Sequence, residues 1–318
     1  TSERFGITAK VTKVDWKKIV SRVVQLVDND SKRIERGNQQ TKNITIYNVH
    51  GTFVAKKMLD VGKEIITAEK IFLCAGSRPS IPDIPGLKSV PFITSDHALR
   101  MVKRPKKLTI IGGGYISCEL AHFFGMLGTE VTIIQRGNLL MNNEDAEIAE
   151  LFTELYKKKF NVILNADTKR VYKKGKNLVV DVVVNKKERS IMGDALLVAT
   201  GRVSNADLLN VKKGGIETNE RGFVKVNEYL ETIVPGVWAI GDIAGIFMFK
   251  HSANLEATYA INNAFAEKVP VDYTAMPHAA FTSPQVGSVG ATEEELREQN
   301  IPYKKNIQLY KNTGYGAA

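Results

Sequence analysis

The 318 residues predict an α/β chain of the doubly wound type, parallel strands alternating with crossover helices. Three observations carry that expectation. From Leu108 to Glu119 the chain reads Leu-Thr-Ile-Ile-Gly-Gly-Gly-Tyr-Ile-Ser-Cys-Glu, an apolar β-branched run that enters three glycines and then a helix-forming segment, Tyr115 to Leu127. A Leu127-Gly128 helix stop is followed by a second buried-strand pattern, Val131-Thr132-Ile133-Ile134, which completes a βαβ unit. An apolar strand broken by small residues occurs twice, as Leu73-Cys74-Ala75-Gly76-Ser77-Arg78 and as Val198-Ala199-Thr200-Gly201-Arg202, so two nucleotide-binding domains built alike are expected.

Within the βαβ unit, Gly112 permits the tight turn and Gly114 removes the side chain where a pyrophosphate approaches the backbone. The helix that follows offers free N–H groups and the positive end of its dipole, so an anion is held without any charged side chain. The stretch reads as a dinucleotide site. Ser117 stands where a third glycine or alanine is usual, so the helix is expected to sit slightly farther from the strand. Gln135 ends the second strand 23 positions after Gly112, near the usual spacing of about 20 for the ribose-reading residue. A carboxylate there would bond the 2′-hydroxyl of NAD and repel a 2′-phosphate. Gln135 is neutral and Arg136 is adjacent, which predicts that NADP is tolerated or preferred.

The remaining elements follow in chain order. Residues 13 to 36 read as an amphipathic helix, with Asp15 as N-cap, Ile19, Val23, Leu26 and Val27 on one face, and Gly37 as the stop. Short strands are expected at Ile44-Thr45-Ile46-Tyr47, Gly51 to Ala55 and Glu64 to Thr67, and a longer one from Ile71 to Gly76. Pro79, Pro82 and Pro85 make an extended linker into the unit described above at about Thr94. That unit continues through a helix at 144 to 158 and a basic hairpin region at 168 to 193, and ends on the strand Ala195 to Arg202. Pro235-Gly236 then turns the chain into a short strand, Val237 to Ile240, and Gly241-Asp242 places one carboxylate at its carboxyl end, where ligands of open α/β sheets lie. A helix from about Ser252 to Ala266 follows, and from Tyr273 the chain turns to loops and short strands.

Composition narrows the function classes. A net charge of +10 invites nucleic acid or an anionic membrane, but the lysines are scattered in short groups such as Lys157-Lys158-Lys159 and Lys173-Lys174, which favours a solvated basic surface. If the charge does serve nucleic-acid binding, phosphate affinity should fall steeply with salt. No apolar run is long enough for a membrane span, and Thr1-Ser2-Glu3-Arg4 resembles neither a signal peptide nor an initiator Met. Two cysteines, Cys74 and Cys118, form neither a disulfide framework nor a metal cluster. Both patterns predict burial as structural filler in a reducing, cytoplasmic compartment, and no metal site is expected.

Four motifs in this order, Ala75-Gly76-Ser77-Arg78-Pro79, Gly112 to Glu119, Ala199-Thr200-Gly201-Arg202 and Thr232 to Asp242, resemble the flavoprotein pyridine nucleotide-disulfide oxidoreductases. Gln135-Arg136-Gly137 and Phe249-Lys250-His251-Ser252-Ala253-Asn254 look most like the mycothione reductase branch and its dihydrolipoamide dehydrogenase-like relatives. The resemblance implies two Rossmann-like domains. A FAD domain would be assembled from residues 1–93 and 218–268, an NAD(P)H domain inserted at 94–217, and a dimer-interface domain begun at 269–318. It implies FAD and NADP or NAD as cofactors, a small disulfide or dithiol as substrate, and a homodimer. It also implies Asp242 on the flavin ribityl chain, Tyr115 as an aromatic gate over the nicotinamide pocket, and Glu119 as the acid that pairs with a lysine beside the flavin. Gly76, Gly201 and Gly241 fall in its cofactor-binding motifs.

The family's first FAD-binding glycine loop, its paired redox cysteines and their neighbouring lysine would lie before Thr1, and its late His-Glu pair after Ala318. The chain is therefore expected to be a piece of the enzyme that binds NADP(H), carries little flavin and does not itself reduce disulfides. His50, His97, His122, His251 and His278 match no family role. The expected reaction passes a hydride between nicotinamide and FAD and on to a cysteine pair. The alternatives are a flavin-dependent NAD(P)H oxidase or reductase without the disulfide step, and a non-catalytic basic nucleotide- or nucleic-acid-binding protein.

Overall fold

A computed structural model describes residues 5–317; the Thr1-Ser2-Glu3-Arg4 start and Ala318 lie outside the described residues. Helix α1 (Trp16–Gln40) begins where its cap predicts, with the Asp15 carboxylate accepting from the Lys18 N–H at 3.0 Å. Trp16 and Val20 are buried, and the Trp16 ring lies 5.5 Å from both Phe123 and Phe124. Two expectations for α1 fail. Gly37 does not stop it, because a helix-interior glycine costs only about 1 kcal/mol and the turn is completed by Thr41, whose hydroxyl donates to the Gly37 carbonyl at 2.8 Å. Val23, Leu26 and Val27 are exposed, because only the start of the helix meets the body of the protein.

Next come β1 (Thr52–Ala55), β2 (Met58–Asp60), β3 (Ile65–Thr67), β4 (Ile71–Leu73) and β5 (Ser77–Pro79). Ile44–Tyr47 is not a strand. Its alternation meets no partner edge, and without a ladder the pattern alone fixes nothing. A single turn, α2 (Ser95–Ala98), precedes β6 (Lys107–Ile111), α3 (Tyr115–Met126), β7 (Glu130–Ile134), α4 (Ala146–Lys157) and β8 (Asn161–Ile163). Three long strands follow, β9 (Ala166–Lys174), β10 (Asn177–Val184) and β11 (Lys187–Gly193), then β12 (Ala195–Val198) and β13 (Arg202–Ser204). The last elements include β14 (Val237–Ala239), α5 (Lys250–Phe265), β15 (Pro277–Ala280) and β16 (Val286–Val289).

The central sheet is parallel, in the order β12-β6-β7-β8. Its strands are buried on both faces, which is why they read as unbroken apolar runs. Leu108, Ile110, Ile133 and Leu197 join Phe124, Phe152 and Tyr156 of the helices on one side. Ile111, Ile134, Leu196 and Val198 pack on Leu178, Val180 and Val182 on the other, so the basic hairpin region is a three-stranded antiparallel layer, β11-β10-β9, lying on the parallel sheet. A second, smaller core forms around the parallel pair β4–β14, with Ile71, Leu73, Val237 and Ala239 inside and Phe53 of the antiparallel β1-β2-β3 sheet against them.

The two similar strand ends meet each other. β5 and β13 pair antiparallel, Arg202 opposite Pro79 and Ser204 opposite Ser77, and form a ribbon that joins the two cores. The repeat that predicted two like units thus marks their connection.

Candidate functional site

At the carboxyl end of β6 the chain makes its tightest approach. Gly112 has φ +118, and a Cβ there would lie 2.1 Å from the Ala199 carbonyl oxygen at the end of β12, so only glycine fits. Gly114 is the N-cap of α3 with no side-chain cap, and a Cβ built on it meets nothing within 4 Å. Open space thus faces a helix start whose first N–H groups have no intrahelical partner, the arrangement that receives a phosphate. Ser117, expected to push the helix outward, is wholly buried and donates to the Gly112 carbonyl at 2.7 Å, so its hydroxyl fastens the turn.

Gln135 is committed to its own loop. Its amide donates to the Leu139 carbonyl at 3.1 Å and its oxygen accepts from the Arg136 N–H at 3.1 Å. The strand end therefore carries no negative charge, and the Arg136 side chain is exposed beside it.

The second cluster lies across the ribbon. The Asp242 Oδ2 accepts from the Ser77 hydroxyl at 2.5 Å and lies 3.4 Å from Arg202 Nε. Arg202 itself donates to the Ser77 hydroxyl at 2.6 Å and to the Ser77 carbonyl at 2.7 Å. Among the described residues Asp242 Oδ1 accepts no hydrogen bond, which suits it to receive a ligand hydroxyl such as those of a ribityl chain. Gly76, Gly201 and Gly241 are the small residues at the three chain segments that converge here. Beneath them Glu256 is fully buried; its carboxylate takes the Gly241 N–H at 2.5 Å and the Tyr273 hydroxyl at 2.8 Å, and burial raises its pKa above the usual range.

Tyr115 and Glu119 stand one turn apart on α3. The Tyr115 hydroxyl donates to Glu144 Oε1 at 2.6 Å, and burial, then the neighbouring Glu144 carboxylate, raises its pKa. Its ring meets Phe249 edge-on at 5.7 Å and His278 at 6.1 Å. Glu119 accepts from the Phe281 N–H at 2.8 Å. Sequence reasoning missed Glu144, which reads as an ordinary first-turn acid, and gave His278 no part, although its Nε2 lies 3.2 Å from Glu144 Oε1. No local spacing signals either residue, because Glu144 lies 29 positions from Tyr115 and its contact with His278 spans well over a hundred.

The cysteines behave differently from each other. Cys118 is buried, its thiol contacts the Gly113 carbonyl at 3.7 Å, and burial pushes its pKa up. Cys74, expected to be buried, is exposed, because β14 covers β4 only as far as Leu73. Both are free thiols. Among the described residues no helix is long and apolar enough to cross a membrane.

A family profile described as pyridine nucleotide-disulphide oxidoreductase matches residues 6–257. The chain is 34% identical over 330 aligned positions to mycothione reductase of Mycobacterium tuberculosis (strain CDC 1551 / Oshkosh), covering 100% of this chain and 71% of that protein. It is 35% identical over 258 positions to mercuric reductase of Staphylococcus aureus, covering 80% of this chain and 47% of that one. Among solved structures, the Cu(II) complex of the HOCl-induced flavoprotein disulfide reductase RclA from Escherichia coli superposes with a TM-score of 0.82 at 28% identity, over 90% of this chain and 66% of that chain.

Proposed function

The chain belongs to the pyridine nucleotide-disulphide oxidoreductase family, whose members use FAD and NAD(P)H, and from that premise we propose that it serves hydride transfer from NADPH to FAD for reduction of a small disulfide. One observation carries the reading: the Gly112–Gly114 turn and the Asp242 cluster are joined by the β5–β13 ribbon, so a nicotinamide dinucleotide and a flavin would be held by one connected framework. The flavin supplies the chemistry of accepting a hydride and releasing electrons one or two at a time.

The residues of the chain bind and orient. Gly112 and Gly114 would admit the pyrophosphate to the start of α3, and Gln135 with Arg136 would favour the 2′-phosphate of NADPH over NADH. Asp242, fixed by Ser77 and Arg202, would accept from the flavin ribityl chain, with Gly76, Gly201 and Gly241 allowing close approach. Tyr115 would cover the nicotinamide pocket, and Glu119 would carry the charge beside the flavin. On this reading residues 1–93 and 218–268 form the FAD-binding part, 94–217 the NAD(P)H-binding part, and 269–318 the start of a homodimer interface. Exposed Phe281 and Val289 in the β15–β16 region support a partner there. The reducing cytoplasm is the compartment proposed for two free thiols.

A second reading, a flavin-dependent NAD(P)H oxidase, draws support from the burial and raised pKa of Cys118, which unfit that thiol for exchange. The test adds FAD and NADPH to the chain under anaerobic conditions and follows flavin absorbance. Bleaching that mycothione or lipoamide disulfide does not reverse, as expected of a chain whose two cysteines form no redox pair, supports the first reading; rapid, repeated oxidation of NADPH by oxygen supports the second. Dinucleotide binding without any bleaching would overturn both.

A further inference from the structure

Glu144 has no part in the reading above, yet it is only 7% exposed and three donors converge on it. The Tyr115 hydroxyl reaches Oε1 at 2.6 Å, the Ser288 hydroxyl reaches Oε2 at 2.5 Å, and His278 Nε2 lies 3.2 Å from Oε1. The donors come from three places: the first residue of α3, β16 and β15. Taking a carboxylate out of water is costly unless such partners satisfy it, and an apolar residue would fill the space without that cost. What the carboxylate adds is a fixed position for the Tyr115 hydroxyl.

That position bears on the dinucleotide turn. Tyr115 directly follows Gly114, and its ring is set edge-on to Phe249 and His278, which stack on each other at 5.6 Å and 20°. Apart from its two chain neighbours, nothing lies within 4 Å of a Cβ built on Gly114, so the space that a ligand would take adjoins the residue that the tether holds. An untethered tyrosine could rotate about two side-chain torsions, and a ligand that packs on it would have to immobilise it on arrival.

We propose that Glu144, braced by His278 and Ser288, is a positioning residue that presets the Tyr115 ring for the nicotinamide half of the dinucleotide. The proposal rests on the dinucleotide reading of Gly112–Gly114. It separates the two halves of the ligand: the tether acts on the nicotinamide end and leaves the adenosine and pyrophosphate end alone. It also makes the β15–β16 hairpin part of the nicotinamide site.

The test uses calorimetry on the full chain with FAD added. NADPH is compared with 2′-phospho-ADP-ribose, and NADH with ADP-ribose, each pair differing only by the nicotinamide. Tyr115→Phe, which removes one donor and leaves Glu144 with Ser288 and His278, should lower the affinity ratio within the tighter-binding pair roughly two- to tenfold, the cost of ordering one side chain. Glu144→Leu should lower it by the same factor, and the double variant by no more than either alone. Glu144→Gln, whose amide oxygen still accepts from Tyr115, should recover most of the ratio. An unchanged ratio in Tyr115→Phe overturns the proposal, as does a further loss when Glu144→Leu is added to it. If neither ADP-ribose compound binds the unaltered protein, the dinucleotide reading falls and this proposal with it.

Discussion

The two cofactor sites proposed here are built from different materials. The dinucleotide turn is backbone: three glycines, an uncapped helix start, and a hydroxyl from Ser117 that fastens the turn from below. The flavin-side cluster is side chain: Asp242 is held by Ser77 and Arg202, and a buried glutamate fixes the glycine before it. Their supports differ as well. The turn rests on a four-stranded sheet buried on both faces, whereas Asp242 follows a strand paired with one neighbour, β4. A backbone site fails when space is taken away, and a side-chain site fails when charge is taken away.

The largest effect should come from filling that space. Gly112→Ala would place a Cβ against the Ala199 carbonyl in a backbone conformation closed to other residues, costing about 3 kcal/mol and removing dinucleotide binding. Calorimetric titration and a thermal melt read both. Normal NADPH affinity in this variant would show that the phosphate lies elsewhere.

Taking charge from the other site should have a smaller effect. Asp242→Ala removes a charge-assisted acceptor and should weaken FAD binding roughly ten- to a hundredfold, measured by flavin fluorescence quenching, while NADPH affinity stays unchanged. A parallel loss of NADPH binding would mean that the two sites are one mechanical unit.

Arg136→Ala should lower NADPH affinity roughly three- to tenfold and leave NADH unaffected. Equal or tighter NADH binding by the unaltered protein, indifferent to this substitution, would overturn the preference for NADPH.

The smallest effect concerns the buried support of the flavin side. Because burial raises the pKa of Glu256 in the folded state, its contribution to stability is fully present below the ordinary carboxylate pKa and is lost as pH rises through the raised value. Glu256→Gln, which keeps an acceptor for the Gly241 N–H, should therefore lose less stability than the unaltered protein between mildly acidic and neutral pH. Denaturant melts at both pH values check this, and parallel pH profiles would remove Glu256 as the source.

By itself the sequence determined the parallel sheet, the glycine turn and the caps, because each is set by contacts within a few residues. Leu108–Ile111 could only be a strand buried on both faces, Asp15 could cap the helix that begins beside it, and Gly112 is required by a turn of fixed geometry. Where the sequence misled, a partner was wanting or one arrived from afar. Ile44–Tyr47 alternates like a strand but meets no edge, and Cys74 continues an apolar run beyond the strand that covers it. Glu144 lies next to Asp145 in an acidic stretch that reads as solvated, and only folding brings it to Ser288, 144 positions away. Burial of a charge is decided by which distant donors the tertiary structure carries to it, and a hydrogen bond of that span leaves no periodicity in the chain.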